Sequence, residues 1–183
     1  MKLTKREFIA GTAGLGMTTL AGPAFAMKRA KIDRLIRQAE DTLRVEVPNA
    51  ARLLEESAGY LMMPRVRKAG LGFGGAYGEG ALIVGGAPVQ YYSVAAGSFG
   101  LQIGIEQYSS ALFFGTDNRL NKFRSRDGWT IGADLEYTAW DQGEDADIDN
   151  NTVLETVYGV VFGQEGLHIG ATLEGSKYST ITR

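Results

Sequence analysis

Gly128-Trp129-Thr130-Ile131-Gly132-Ala133-Asp134-Leu135-Glu136 alternates along its length. Trp129, Ile131, Ala133 and Leu135 fall on one side of an extended chain, and Gly128, Thr130, Gly132, Asp134 and Glu136 on the other. A period of two is what a strand with one buried face requires. Gly100-Leu101-Gln102-Ile103-Gly104-Ile105-Glu106 and Gly166-Leu167-His168-Ile169-Gly170-Ala171-Thr172-Leu173-Glu174 repeat the pattern. Gly70-Leu71-Gly72-Phe73-Gly74-Gly75-Ala76-Tyr77 is a looser fourth copy. The copies are unevenly spaced, which argues against a solenoid and for repeated strands of one sheet. Residues 90–95 and 111–114 are apolar on both faces, as strands covered from both sides are. Eight or nine short strands are expected, enough for a curled sheet or barrel-like β structure. Gly104, Gly132 and Gly170 hold matching places on the side away from the core. Such a row either lets a backbone or ligand lie close, or faces solvent and eases curvature.

Upstream the period changes. Between residues 27 and 46, Ile32, Leu35, Ile36, Ala39 and Leu43 recur at helical spacing, while Lys28, Lys31, Arg34, Arg37 and Arg44 occupy other faces. Pro48 suits the first position of a second helix, which runs to Ala58 with Ala51, Leu53, Leu54 and Ala58 apolar and Gly59 as its stop. The strand period sets in from Gly70. A short helix at 117–123, capped by Asp117, interrupts it. The fold class is therefore α+β, with N-terminal helices packed on a glycine-rich, mostly antiparallel curled sheet.

The 183 residues suit one domain, and 25 of them are glycine, about twice the usual share of roughly 7%. No cysteine and a single histidine exclude disulfides, thiol nucleophiles, thiolate metal sites and multi-histidine metal sites. Lys2, Lys5 and Arg6 precede a weakly apolar stretch ending in Gly22-Pro23-Ala24-Phe25-Ala26. Small residues at 24 and 26 after a helix-breaking proline read as a secretory signal peptide over residues 1–26, cut after Ala26. Lys5-Arg6 resembles a twin-arginine signal with lysine in the first place, so the export route stays open. One domain then spans 27–183: a helical arm over 27–58 and a mostly β body over 59–183. Residues 27–68 hold 10 basic and 6 acidic groups, whereas 69–183 hold 6 and 14. An acidic body with a basic arm does not suit nucleic acid. It does suit an anionic lipid surface.

Leu61-Met62-Met63-Pro64-Arg65-Val66-Arg67-Lys68-Ala69-Gly70-Leu71-Gly72-Phe73-Gly74-Gly75, then Tyr77-Gly78-Glu79-Gly80, resembles the opening signature of SYLF domains. Tyr91-Tyr92-Ser93, Gly97–Gly104 and Leu173-Glu174-Gly175-Ser176 continue the resemblance in order. It implies a lipid-binding module without agreed catalytic residues, here of an exported, bacterial type. Eukaryotic members bind phosphoinositides and some bind actin; for an exported protein neither is expected, and what transfers is affinity for a membrane or lipid.

Other chemistry is thinly supported. Gly70-x-Gly72-x-x-Gly75 satisfies a dinucleotide fingerprint in letters only, since a strand pattern rather than a helix follows it. Gly97-Ser98-Phe99-Gly100 is one residue short of a nucleophile elbow, and His168 stands alone. Asp145-x-Asp147-x-Asp149 imitates the start of a calcium loop, but Asn150 replaces the glycine and Thr156 the bidentate glutamate. Glu136 and Glu174 hold equivalent repeat positions, the arrangement a carboxylate-dependent hydrolase would use. The expected function is non-enzymatic: lipid or membrane binding in the cell envelope, periplasmic or secreted, through Lys28, Arg29, Lys31, Arg34 and Arg37. The ligand face would be Gly104, Gly132 and Gly170, with no cofactor and no metal. The partner is a phospholipid or anionic membrane surface; the alternative is an envelope scaffold that binds another protein.

Overall fold

The computed structural model describes residues 27–139, 157–165 and 173–183, and of these leaves out the side chains of 71–73, 98–105, 139 and 165. Among the described residues, three helices and six strands follow in the order α1 (Arg29–Glu46), α2 (Ala50–Glu56), β1 (Gly59–Val84), β2 (Ala87–Phe114), α3 (Asp117–Arg124), β3 (Trp129–Thr130), β4 (Thr138–Ala139), β5 (Val157–Glu165) and β6 (Lys177–Ile181). The α+β class holds: helices lie on one curled, mostly antiparallel sheet.

The strands are longer than expected. Among the described residues, β1 and β2 replace most of the expected short strands with one long antiparallel hairpin. Gly85 and Gly86 close it, with φ of 59° and 77°. Positive φ at both central residues is what a two-residue type I′ connection requires. The glycine-rich copies at 70 and 100 are not neighbours by repetition; they lie in the two arms of this hairpin, with Gly70 opposite Gly104. β1 also begins at Gly59, eleven residues before the visible change of period. The pairing skips register between Met63 and Val66, where Pro64 has no N–H to give, and the Ser109 hydroxyl donates to the Pro64 carbonyl at 2.9 Å.

Both faces of the sheet are covered, and alternation decides which residue goes where. Tyr60, Met62, Ala81, Ile83, Tyr91, Ala111, Phe113, Tyr158, Val160 and Phe162 meet Ile32, Ile36, Ala39 and Leu43 of α1. Their neighbours Leu61, Met63, Leu82, Tyr92, Leu112 and Phe114 point the other way, onto Leu120 and Phe123 of α3 and onto Trp129. The apolar stripe of α1 is thus core, each member at most 7% exposed.

Three local expectations shift. α2 starts at Ala50 after Asn49 in the left-handed region (φ 59°), so Pro48 precedes the helix, and Ala50 rather than Ala51 is buried. α3 is capped one residue earlier, by Thr116, whose Oγ1 accepts from the Arg119 N–H at 3.3 Å; Asp117 sits in the first turn, where its charge suits the helix dipole. The third change is larger. Trp129 and Ile131 are buried as expected, but the strand stops at Thr130 and the chain turns. The Thr130 carbonyl accepts from the N–H groups of Ala133, Asp134 and Leu135, and Gly132 has φ 87°. Ala133 is therefore exposed on a turn instead of buried in a strand.

This reverses what Gly132→Val should do. A solvent-facing strand glycine would gain from valine; a left-handed turn position loses, by about 1–2 kcal/mol. Thermal unfolding of the variant checks it, and an unchanged or raised melting temperature would contradict the turn.

Candidate functional site

α1 carries acids and bases, and the sheet sorts them. Asp33 Oδ1 accepts from the Tyr91 hydroxyl at 2.7 Å, Glu40 Oε1 from the Tyr60 hydroxyl at 2.6 Å, and Glu46 Oε2 from the Gly163 N–H at 2.7 Å. Burial first, then the carboxylate of Glu40, pushes the Tyr60 phenol far above the usual tyrosine range. Burial and Asp33 raise Tyr91 in the same way, against the opposing pull of Arg29. These tyrosines stay protonated and stay donors. Three of the helix acids are thereby engaged by the sheet.

The bases are left outside. Lys28, Lys31, Arg34 and Arg37 are exposed, and none has a side-chain partner among the described residues. Lys28 stands at the N-cap, ahead of the helix, while Lys31, Arg34 and Arg37 follow at three-residue steps along it. Arg29 differs from the other four. Its Nε donates to the Tyr91 hydroxyl at 2.8 Å, and its guanidinium lies 5.4 Å from the centre of that ring. It fastens α1 to β2 and is not a free cation.

The glycine row is not assembled as the repeat implied. Gly104 lies in mid-strand opposite Gly70, Gly132 lies in the turn after β3, and Gly170 falls outside the described residues. His168, Asp145, Asp147 and Asp149 fall outside them too. Gly70–Gly75 and Gly97–Gly100 run through the middles of β1 and β2, where neither a phosphate loop nor a strand-to-helix elbow can form. Glu136 and Glu174 are both exposed. No group of three acidic or histidine side chains able to hold a metal occurs among the described residues.

A polar hollow of about 400 Å³ lies beside β3 and β6, lined by Asp127, Thr130, Asp134, Lys177 and Ser179 among others. Its acids are engaged internally: Asp127 accepts from the Thr180 hydroxyl at 2.8 Å, and Asp134 from the Thr130 N–H at 2.9 Å.

Sequence reasoning missed Glu79. It is 1% exposed, within a strand whose neighbours Ala81, Leu82 and Ile83 are core. Oε1 accepts from Arg183 Nη2 at 2.5 Å and from the Tyr77 hydroxyl at 2.8 Å. Oε2 accepts from the Met27 backbone nitrogen at 2.9 Å and from Arg183 Nε at 3.3 Å. Burial alone would raise this carboxyl, but the bonds from Arg183, Met27 and Tyr77 outweigh it and hold it below the ordinary glutamate range. The available signal was a single acid two residues before the apolar run Ala81-Leu82-Ile83-Val84. It was read only as part of the Tyr77-Gly78-Glu79-Gly80 signature.

Residues 95–182 match a family model described as "Ysc84: Las17-binding protein actin regulator". This match is to the SYLF (Ysc84) family, the one that the sequence motifs resemble. The matched stretch starts in the first third of β2 and takes in α3 and β3 to β6, so the SYLF match and the basic helix occupy different parts of the chain. The signature at Leu61–Gly80 precedes the match. No curated protein matches the chain. No helix among the described residues is long and apolar enough to cross a membrane.

Proposed function

We propose that this protein is an exported, non-enzymatic module that docks on an anionic lipid surface through the outer face of α1. The observation that carries the reading is the sorting of charge on that helix. Asp33, Glu40 and Glu46 are bound to the sheet, and Lys28, Lys31, Arg34 and Arg37 are left exposed without side-chain partners among the described residues. Contact is electrostatic more than insertive. Val45, Tyr77 and Val89 are the large apolar side chains exposed among the described residues, too scattered for one wedge. Each basic group near an anionic surface adds about 1 kcal/mol, so four suffice for reversible attachment.

Co-sedimentation with vesicles containing anionic phospholipid is the test. Binding should require the anionic lipid and weaken as salt rises, because the Debye length falls from about 10 Å at 0.1 M to about 3 Å at 1 M. Reversing Lys31, Arg34 and Arg37 to glutamate should abolish binding and leave the melting temperature nearly unchanged. Leu35→Ala, on the inner face, should do the opposite: a loss of about 2–5 kcal/mol of stability with charge-driven binding retained at low temperature. A folded triple variant that still binds at low salt would refute the arm as the contact.

The family description names a protein partner, which favours a second reading: an envelope scaffold that binds another protein. Affinity capture with the parent and the triple variant separates the two. A partner retained equally by both, with no vesicle binding by either, would select the scaffold.

A further inference from the structure

Glu79 is costly to bury, and two of its three partners, Met27 and Arg183, come from distant parts of the chain. Arg183 and Tyr77 take Oε1, while Oε2 has its nearest partner in the nitrogen of Met27. The Met27 side chain packs against the core beneath α1, so this nitrogen is held in place. Independently, Ala24-x-Ala26 after Pro23 marks the bond between Ala26 and Met27 as the one a signal-type peptidase would cut. The nitrogen that cutting would free is the one already placed against a buried carboxylate.

We propose that Glu79 is the receptor for the α-ammonium group created at Met27 when the leader is removed, so that processing locks the start of α1 onto β1. The inference rests on the export reading given above. Hydrolysis breaks the Ala26 carbonyl–nitrogen bond. Water supplies hydroxide to the Ala26 carbonyl carbon, the Met27 nitrogen keeps the electron pair and takes a proton, and the proton of the new acid completes the ammonium. Before cutting, Met27 offers one neutral N–H to Oε2. Afterwards it offers three donors and a positive charge. Charge-assisted bonds of this kind are roughly twice as strong as neutral ones, and burial of the acceptor limits screening by salt. Arg183 already balances one side of the carboxylate, so the ammonium completes a buried three-centre cluster of two cations on one anion, with Tyr77 as the neutral donor.

The test starts from the protein recovered from its exporting host. Its N-terminal residue should be Met27; any other terminus overturns both the leader reading and this proposal. With Met27 at the terminus, the α-amine should react with an amine-selective acylating reagent about tenfold more slowly than the same amine in a free peptide of residues 27–38, since one unit of added basicity lowers the free amine tenfold. Equal rates would overturn the lock and leave the cleavage site standing. A second measurement uses a glycine inserted ahead of Met27, which returns a neutral amide to this place. The insertion should lower the melting temperature of the parent and leave that of Glu79→Gln unchanged. Equal lowering in both backgrounds refutes the role of Glu79. If Glu79→Gln does not fold, the peptide comparison decides by itself, because it uses only the native protein.

Discussion

Gly80→Ala should cost about 3 kcal/mol or more, the upper end of what overpacking does to a well-packed interior. The reason lies in how β1 turns back on itself. A methyl group at residue 80 would overlap the carbonyl oxygen of Met62, 2.9 Å from its carbonyl carbon and 2.8 Å from Met63 Sδ. One at Gly78 would stand 2.8 Å from the Arg65 carbonyl oxygen. The obstacle is backbone, which cannot step aside as a side chain can. The first and last thirds of one strand therefore touch main chain to main chain, and only glycine lets them. Gly97→Ala is the control. Its methyl would meet nothing within 4 Å and its φ is not in the left-handed region, so it should change stability by less than about 1 kcal/mol. Urea unfolding followed by circular dichroism compares the pair. Equal midpoints would mean that β1 does not fold back as described.

Trp129→Ala should cost about 3–5 kcal/mol, as large buried aromatics do. The side chain is fully buried; its Nε1 donates to the Phe123 carbonyl at 2.8 Å, and its ring stacks 5.7 Å from that of Phe123. The Arg126 guanidinium lies 4.7 Å from the ring centre on the solvent side. Trp129 thereby fixes the end of α3 to the short strand β3. Trp129→Phe separates the contributions. It keeps most of the apolar contact and leaves the Phe123 carbonyl short of a donor, a loss of about 1–3 kcal/mol. A penalty below about 1 kcal/mol for Trp129→Ala would show that α3 and β3 are not held together here.

Helical spacing made α1 legible because one face of a surface helix has to be core, and Ile32, Leu35, Ile36, Ala39 and Leu43 all prove buried. The basic residues of α1 were equally legible as exposed. What sequence spacing could not supply was the fate of the intervening acids. Asp33, Glu40 and Glu46 meet Tyr91, Tyr60 and Gly163, partners that only the folded sheet brings near. For the same reason the bond from Arg29 to Tyr91, which sets this cation apart from the other four, was not legible.

Glycine was the harder letter. One residue type serves the hairpin turn at Gly85 and Gly86, the left-handed turn at Gly132 and the close approach at Gly80, and nothing local distinguishes these uses. Along Gly104, Gly132 and Gly170 a close approach of backbone or ligand was one reading and a solvent-facing row the other. The described residues show a close backbone approach at Gly78 and Gly80. Glu79, between those two, was lost with them. The matching copies at 100 and 128 likewise take different shapes: one lies in mid-strand, and the other turns after two strand residues.

The hairpin of β1 and β2 separates two cores, so its side chains carry a parity. An insertion of one residue between register shifts would turn over every side chain from that point to the next irregularity, sending residues of the α1 core to the α3 side and the reverse. Two inserted residues would keep each side chain on its own face. The strands already shift register at three places: by one residue between Met63 and Val66 and between Leu82 and Ile83, where an odd step is absorbed, and by two between Leu71 and Gly72. Change in chain length along this hairpin is therefore tolerable in even steps anywhere in its glycine-rich middle, but in odd steps only where a bulge can take up the extra residue.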